Sequence, residues 1–398
     1  MATTDPALRP GQPVAPDQAQ GAQIPLQTFT LPDFPPEARS LRALTLTSDI
    51  KLDEYQSLLS QPFHIPDSLP SAIESLTLEL FSMGYPPGFL TALSHKLPNL
   101  KSVVIYSQLF AGITQDSMQD AVQFFKNLQG LRALHLLDVF AKPHFFERAA
   151  PWLRYNTSDT PGEARRGLMF LECNYTFRHE DEEFMGKIQA PELPLMIGPG
   201  LISLSLNLSE PESAEDDEDD PTNVAGSGNK EGIMAFNKTL SEPLMKALTD
   251  DLTCPKGLRA LNTTLYTLTP DQLKKILEVQ KNVMVLGVTA EVEPGAEYKK
   301  ALLETMGGLK HLEQIEVIAN PSLQFFMEVQ NTRSQVLQKT FPSADDLDEL
   351  SKKCEKLGSF KANVLRTTSL GTVEWSRESG KWQGGARPGK GMASVVSA

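Results

Sequence analysis

Leu100-Lys101-Ser102-Val103-Val104-Ile105 and, 31 positions later, Leu131-Arg132-Ala133-Leu134-His135-Leu136 carry one six-residue pattern: apolar, two variable, apolar, one variable, apolar. The fourth and sixth positions of such a hexad lie on the same side of a strand, because strand side chains alternate with period two. The first position anchors the turn into the strand. Working outward, the pattern recurs from Leu41, Ile73, Leu168, Leu201, Leu258, Val283 and Leu312, with a further copy from Leu370. The Leu258 copy has a polar sixth position, Thr263. The first nine starts are separated by 32, 27, 31, 37, 33, 57, 25 and 29 residues. The interval of 57 holds residues 209–232, and removing those 24 residues leaves 33, back within the series.

Between the hexads, several stretches have helical periodicity. Thr269-Pro270-Asp271-Gln272 is a capping box with proline in the first turn, followed by Leu273, Ile276 and Leu277 on one face. Asp116–Leu128 places Met118, Ala121, Val122, Phe125 and Leu128 together, and Ser241 is read as the cap of a helix carrying Leu244, Ala247 and Leu248. Strand, turn and helix repeated about every thirty residues predict an α/β solenoid, with a parallel sheet on a concave side and helices on a convex side.

These hexads resemble the leucine-rich-repeat superfamily. The longer helical units are similar to ribonuclease-inhibitor-like repeats and to the repeat regions of fungal F-box substrate receptors. The resemblance covers about residues 38–320. The family places Asn or Cys at the ninth position, whereas here the series is Asp49, Phe81, Gln108, Val139, Thr176, Ser209, Tyr266, Glu291 and Asn320. Nor does a recognisable F-box precede the repeats. The resemblance implies a protein-binding scaffold. An F-box-like substrate receptor of a ubiquitin ligase is an alternative.

The domain reading is a proline-rich disordered tail over 1–36, a repeat body over 37–382 and a disordered tail over 383–398. Within the body, 209–232 is an acidic disordered insertion. The segment 360–382 forms a cap hairpin in which Trp375 and Trp382 seal the last repeat or, alternatively, bind a peptide.

The formal net charge is −13. Residues 210–220, with Asp216, Asp217, Glu218, Asp219 and Asp220 at their end, contain eight acids and no base, so the remainder carries −13 + 8 = −5. This balance disfavours nucleic acid and anionic membranes as partners. The run reads either as a solvated insertion or as an anionic arm capturing a basic client, which makes an acidic escort chaperone a second alternative.

No catalytic set, metal site or cofactor is expected. His179-Glu180-Asp181-Glu182-Glu183 lacks the second histidine of a zinc-protease helix, and Gly226 to Gly232 lacks phosphate-loop spacing. Cys173, Cys254 and Cys354 are far apart, which fits a reducing compartment, cytoplasmic or nuclear. No signal-type or membrane-spanning segment is read, and the chain is expected to be monomeric.

Function is expected on the outward strand positions, where most residues are small and neutral. Either tight curvature crowds this face, or it is a docking surface. On the second reading the partner-binding residues are Tyr106, His135, Leu137, Phe170, Glu172, Asn174, Ser205 and Asn207.

Overall fold

A computed structural model describes residues 21–154, 167–176, 184–209, 240–322, 324–325, 327–328, 334–364 and 371–388. The chain divides into two compact units, one of residues 1–175 and 183–203, the other of residues 176–182 and 204–398.

In the first unit five hexads become strands, and one further strand precedes them. These are β1 (Gly21–Leu26), β2 (Ala43–Ser48), β3 (Ser75–Glu79), β4 (Ser102–Tyr106), β5 (Ala133–Leu137) and β6 (Phe170–Thr176), hydrogen-bonded in chain order and parallel. Like stacks on like in their register. The fourth positions Leu44, Leu76, Val103, Leu134 and Leu171 form one row, and the sixth positions Leu46, Leu78, Ile105, Leu136 and Cys173 form the next. All ten are buried. The return segments hold α1 (Leu52–Leu58), α2 (Phe89–Lys96), α3 (Gln115–Asn127), α4 (Phe145–Arg154) and the single turn α5 (Phe184–Lys187), with α2 against α3 and α3 against α4.

Two devices close the turns that follow the strands. The ninth-position residues Phe81 and Val139 are fully buried, so the turns are filled by packing. Phe81 belongs to a run of ring contacts from Phe29 through Tyr85 and Phe110 to Phe145 and Phe146. Helix starts are also capped from the following repeat. The buried Asp120 carboxylate on α3 accepts from the Leu90 and Thr91 backbone N–H groups at 3.1 and 3.0 Å, at the first turn of α2. Glu192 accepts from the Phe146 and Glu147 N–H groups at 3.2 and 3.4 Å, at the first turn of α4. Carboxylates at these positions satisfy donors that have no partner inside the helix and oppose its dipole.

The second unit contains β7 (Ser203–Ser209), β8 (Ala260–Leu268), β9 (Val285–Val292), β10 (Gln314–Pro321), β11 (Ser359–Val364), β12 (Gly371–Glu378) and β13 (Lys381–Pro388), again in chain order. Its helices are α6 (Ser241–Thr249), α7 (Pro270–Val279), α8 (Ala296–Met306), α9 (Ser334–Thr340) and α10 (Ala344–Ser351). The row rule persists: Leu261, Leu286, Ile315 and Phe360 stack, and beside them Thr263, Val288, Val317 and Ala362. Beyond Thr263 the register slips, and Thr267 rather than Thr264 pairs with Thr289. The last pairings, β11–β12 and β12–β13, are antiparallel.

Several expectations need correction. Residues 21–36 are not part of an unstructured tail: β1 pairs with β2, and Leu26, Phe29 and Leu31 are buried. Eight prolines over residues 1–36 dominate the composition of that window and hide these anchors. At the other end, residues 383–388 continue β13 opposite β12. A Cβ on Gly384 would stand 1.9 Å from the Glu374 carbonyl oxygen, so this close pass requires the glycine that made the stretch read as tail. Strand β11 was not among the hexads, although Leu357-Gly358-Ser359-Phe360-Lys361-Ala362 fits the pattern with a small sixth residue. Ser241 is the first residue of α6 rather than its cap, and its hydroxyl donates to Gln272 Oε1 at 3.0 Å. The capping box at Thr269 and Gln272 forms as expected, with bonds of 3.2 and 3.0 Å.

Candidate functional site

Alternation turns three side chains of each strand in the first unit away from the buried rows. On β2 to β6 these are Ala43, Thr45 and Thr47; Ser75, Thr77 and Glu79; Ser102, Val104 and Tyr106; Ala133, His135 and Leu137; Phe170, Glu172 and Asn174. This outward face is where the partner residues were expected.

Tyr106 ends β4 and is 44% exposed. Beside it stands Leu80, 53% exposed, whose N–H donates to the Tyr106 carbonyl at 2.8 Å. Leu80 has φ +61°, a left-handed backbone that disfavours a leucine, and it was not recognised as a site residue from the sequence. Nothing in the hexad pattern marks the residue that follows the strand, so an exposed apolar corner there was not legible. Leu137, Phe170 and Asn174 are half-buried on the same face.

His135 is only 5% exposed, despite its outward position. Its Nδ1 is 2.8 Å from Glu172 Oε2, and Glu172 keeps about a third of its side chain in solvent. Facing a carboxylate, Nδ1 is the donor of this bond, which leaves Nε2 as the other ring nitrogen. That atom is buried without a hydrogen-bond partner. The pair therefore presents the Glu172 carboxylate outward, with His135 as its support rather than as a contact in its own right.

Glu79, the other acid among these outward positions, is held similarly. Gln23 Nε2 donates to Thr47 Oγ1 at 3.3 Å, and Thr47 Oγ1 donates to Glu79 Oε2 at 3.1 Å, a polar chain across three strands. Cations stand at the opposite, N-terminal ends of the strands: Arg42 donates to the Ala72 carbonyl at 3.0 Å, and Lys101 pairs with Glu74 at 2.9 Å.

Ser205 and Asn207 occupy outward positions of β7 in the second unit and are half-buried. Asn207 Oδ1 accepts from the Thr264 hydroxyl. Asp216, Asp217, Glu218, Asp219 and Asp220 lie outside the described residues, as do His179 and Gly226–Gly232.

Cys173 fills an inward row position, and burial pushes its thiol well above the ordinary range. It packs as a small hydrophobe. Among the described residues no group of three or more His, Cys, Asp or Glu side chains could hold a metal ion, and no helix is long and apolar enough to cross a membrane.

No protein-family model matches the chain, and no curated protein matches it. Among solved structures it is similar to the leucine-rich-repeat-containing protein LegL7 from Legionella pneumophila, with a TM-score of 0.36 and 12% identity, over 87% of this chain and 92% of that one.

Proposed function

We propose that this chain is a leucine-rich-repeat interaction scaffold that holds a partner protein on the outward strand face of its first unit and carries out no catalysis. The face was expected to be concave from the sequence. The observation that carries the reading is the corner formed by Leu80 and Tyr106. Leu80 and Tyr106 are among the few large apolar residues of the unit that are exposed, and a backbone hydrogen bond joins them at a strand end. An exposed aromatic beside an aliphatic side chain, on a platform of parallel strands, is what a protein contact uses as an anchor. The partner is a protein rather than nucleic acid or membrane, and the scaffold works as a monomer in the cytosol or nucleus.

Photo-cross-linking tests this. A photoreactive residue at Thr77, on the outward face, should trap a partner that one at Gln119, on the exposed side of α3, does not. Equal trapping at both positions, or trapping at Gln119 alone, would remove the face from the reading.

A further inference from the structure

We infer that the occupant of this face is a basic, extended segment of the partner, with two lysine or arginine side chains about five residues apart and an apolar residue between them. The inference rests on the outward face of the first unit being the binding surface, and it adds the chemistry of what binds.

The charge pattern carries it. Among the described residues of β1 to β6, the outward positions include two carboxylates, Glu79 and Glu172, and no lysine or arginine. Each carboxylate has one oxygen engaged within the face, Glu79 Oε2 by Thr47 and Glu172 Oε2 by His135. These bonds orient the carboxylates, and the Thr47 hydroxyl brings no charge to Glu79. Two preoriented carboxylates on a face without lysine or arginine among its described outward positions complement a cationic partner. Arginine would suit both sites, because its planar fork pairs with a carboxylate bidentately.

Spacing sets the register. Glu79 and Glu172 are three strands and two residues apart. At about 4.8 Å per strand and about 3.3 Å per residue this is about 16 Å, the reach of about five residues of extended chain. Tyr106 and Leu137 lie between the two anions, on the intervening strands β4 and β5. A segment laid across the strands would therefore set a cation on each carboxylate and an apolar side chain against Tyr106, with Leu80 closing the corner.

The test uses the full chain and three fluorescent peptides read by anisotropy. One carries two arginines five residues apart around a leucine. In the second the same residues are rearranged so that the arginines are adjacent, and in the third glutamates replace the arginines. The spaced-arginine peptide should bind best. Glu79→Gln with Glu172→Gln should weaken it about tenfold, since each variant removes an ion pair but keeps the internal hydrogen bond. The thermal melt of that variant should stay within a few degrees of the parent. Neutralising the acids of residues 210–220 should leave the affinity within about twofold. No measurable binding of the spaced peptide, equal binding of the glutamate peptide, or a loss caused only by neutralising 210–220 would each overturn the inference. Failure of the wider reading has a different signature. If Thr77 cross-links to a partner segment without basic residues, the face stands and its basic occupant falls. If Thr77 traps no partner, the face itself falls.

Discussion

The two units solve the same packing problem differently. In the first, strands of five to seven residues keep fourth over fourth and sixth over sixth positions, and a run of aromatic rings fills the turns. In the second, β8, β9 and β10 run to nine, eight and eight residues, and the β8–β9 register breaks after Thr263. The break follows the hexad whose sixth position is polar. There the Thr263 and Thr267 hydroxyls are buried without partners, whereas the nearby Thr289 hydroxyl donates to the Thr264 carbonyl at 2.9 Å. A repeat array therefore tolerates either a strict apolar row or a slipped strand with orphaned hydroxyls. The second solution leaves orphaned hydroxyls on the buried side of the strand, a penalty that the apolar rows of the first avoid.

The comparison makes opposite predictions for substitutions in the two cores. Phe110 contacts Tyr85, Phe124, Phe125 and Phe145, so Phe110→Ala should lose about 3–5 kcal/mol in urea unfolding. A loss below about 1 kcal/mol would mean that the rings are not a continuous support. Asp120→Ala leaves two backbone donors of α2 without their acceptor and should cost about 2–3 kcal/mol, with Asp120→Asn recovering part of it. In the second unit, Thr263→Val and Thr267→Val should be neutral or stabilising, by up to about 1 kcal/mol, because the removed hydroxyls bond to nothing. A cost of about 2 kcal/mol for either would show that the hydroxyls are satisfied in solution and that the contrast between the units is false. The smallest effect concerns the exposed corner. Leu80→Gly relieves a left-handed leucine and should raise stability by about 0.5–1 kcal/mol while weakening the basic peptide. Gains in both stability and binding would remove Leu80 from the contact.

Much of the fold was legible because a hexad reports two local facts, side-chain alternation and the return of apolar residues at near-regular spacing. The capping box at Thr269 and the apolar faces of α3 and α7 were legible for the same reason, since their partners lie within a few residues. β1 and the continuation of β13 over residues 383–388 were missed where prolines and glycines outweighed Ile24, Leu26 and Phe29 in the composition. The site was legible as a set of positions, Tyr106, Leu137, Phe170, Glu172 and Asn174 among them, because alternation alone assigns the outward side.

The sequence by itself determined which residues face inward, how many residues separate successive strands and where the acid is concentrated. All three follow from order along the chain. Tertiary structure alone decided that His135 is covered while Glu172 is presented, that the Leu80 backbone bonds to that of Tyr106, and that Asp120 and Glu192 cap helices 29 and 46 residues away. Each of these depends on a distance between residues remote in sequence, set by strand pairing and repeat stacking, and local periodicity carries no record of such distances.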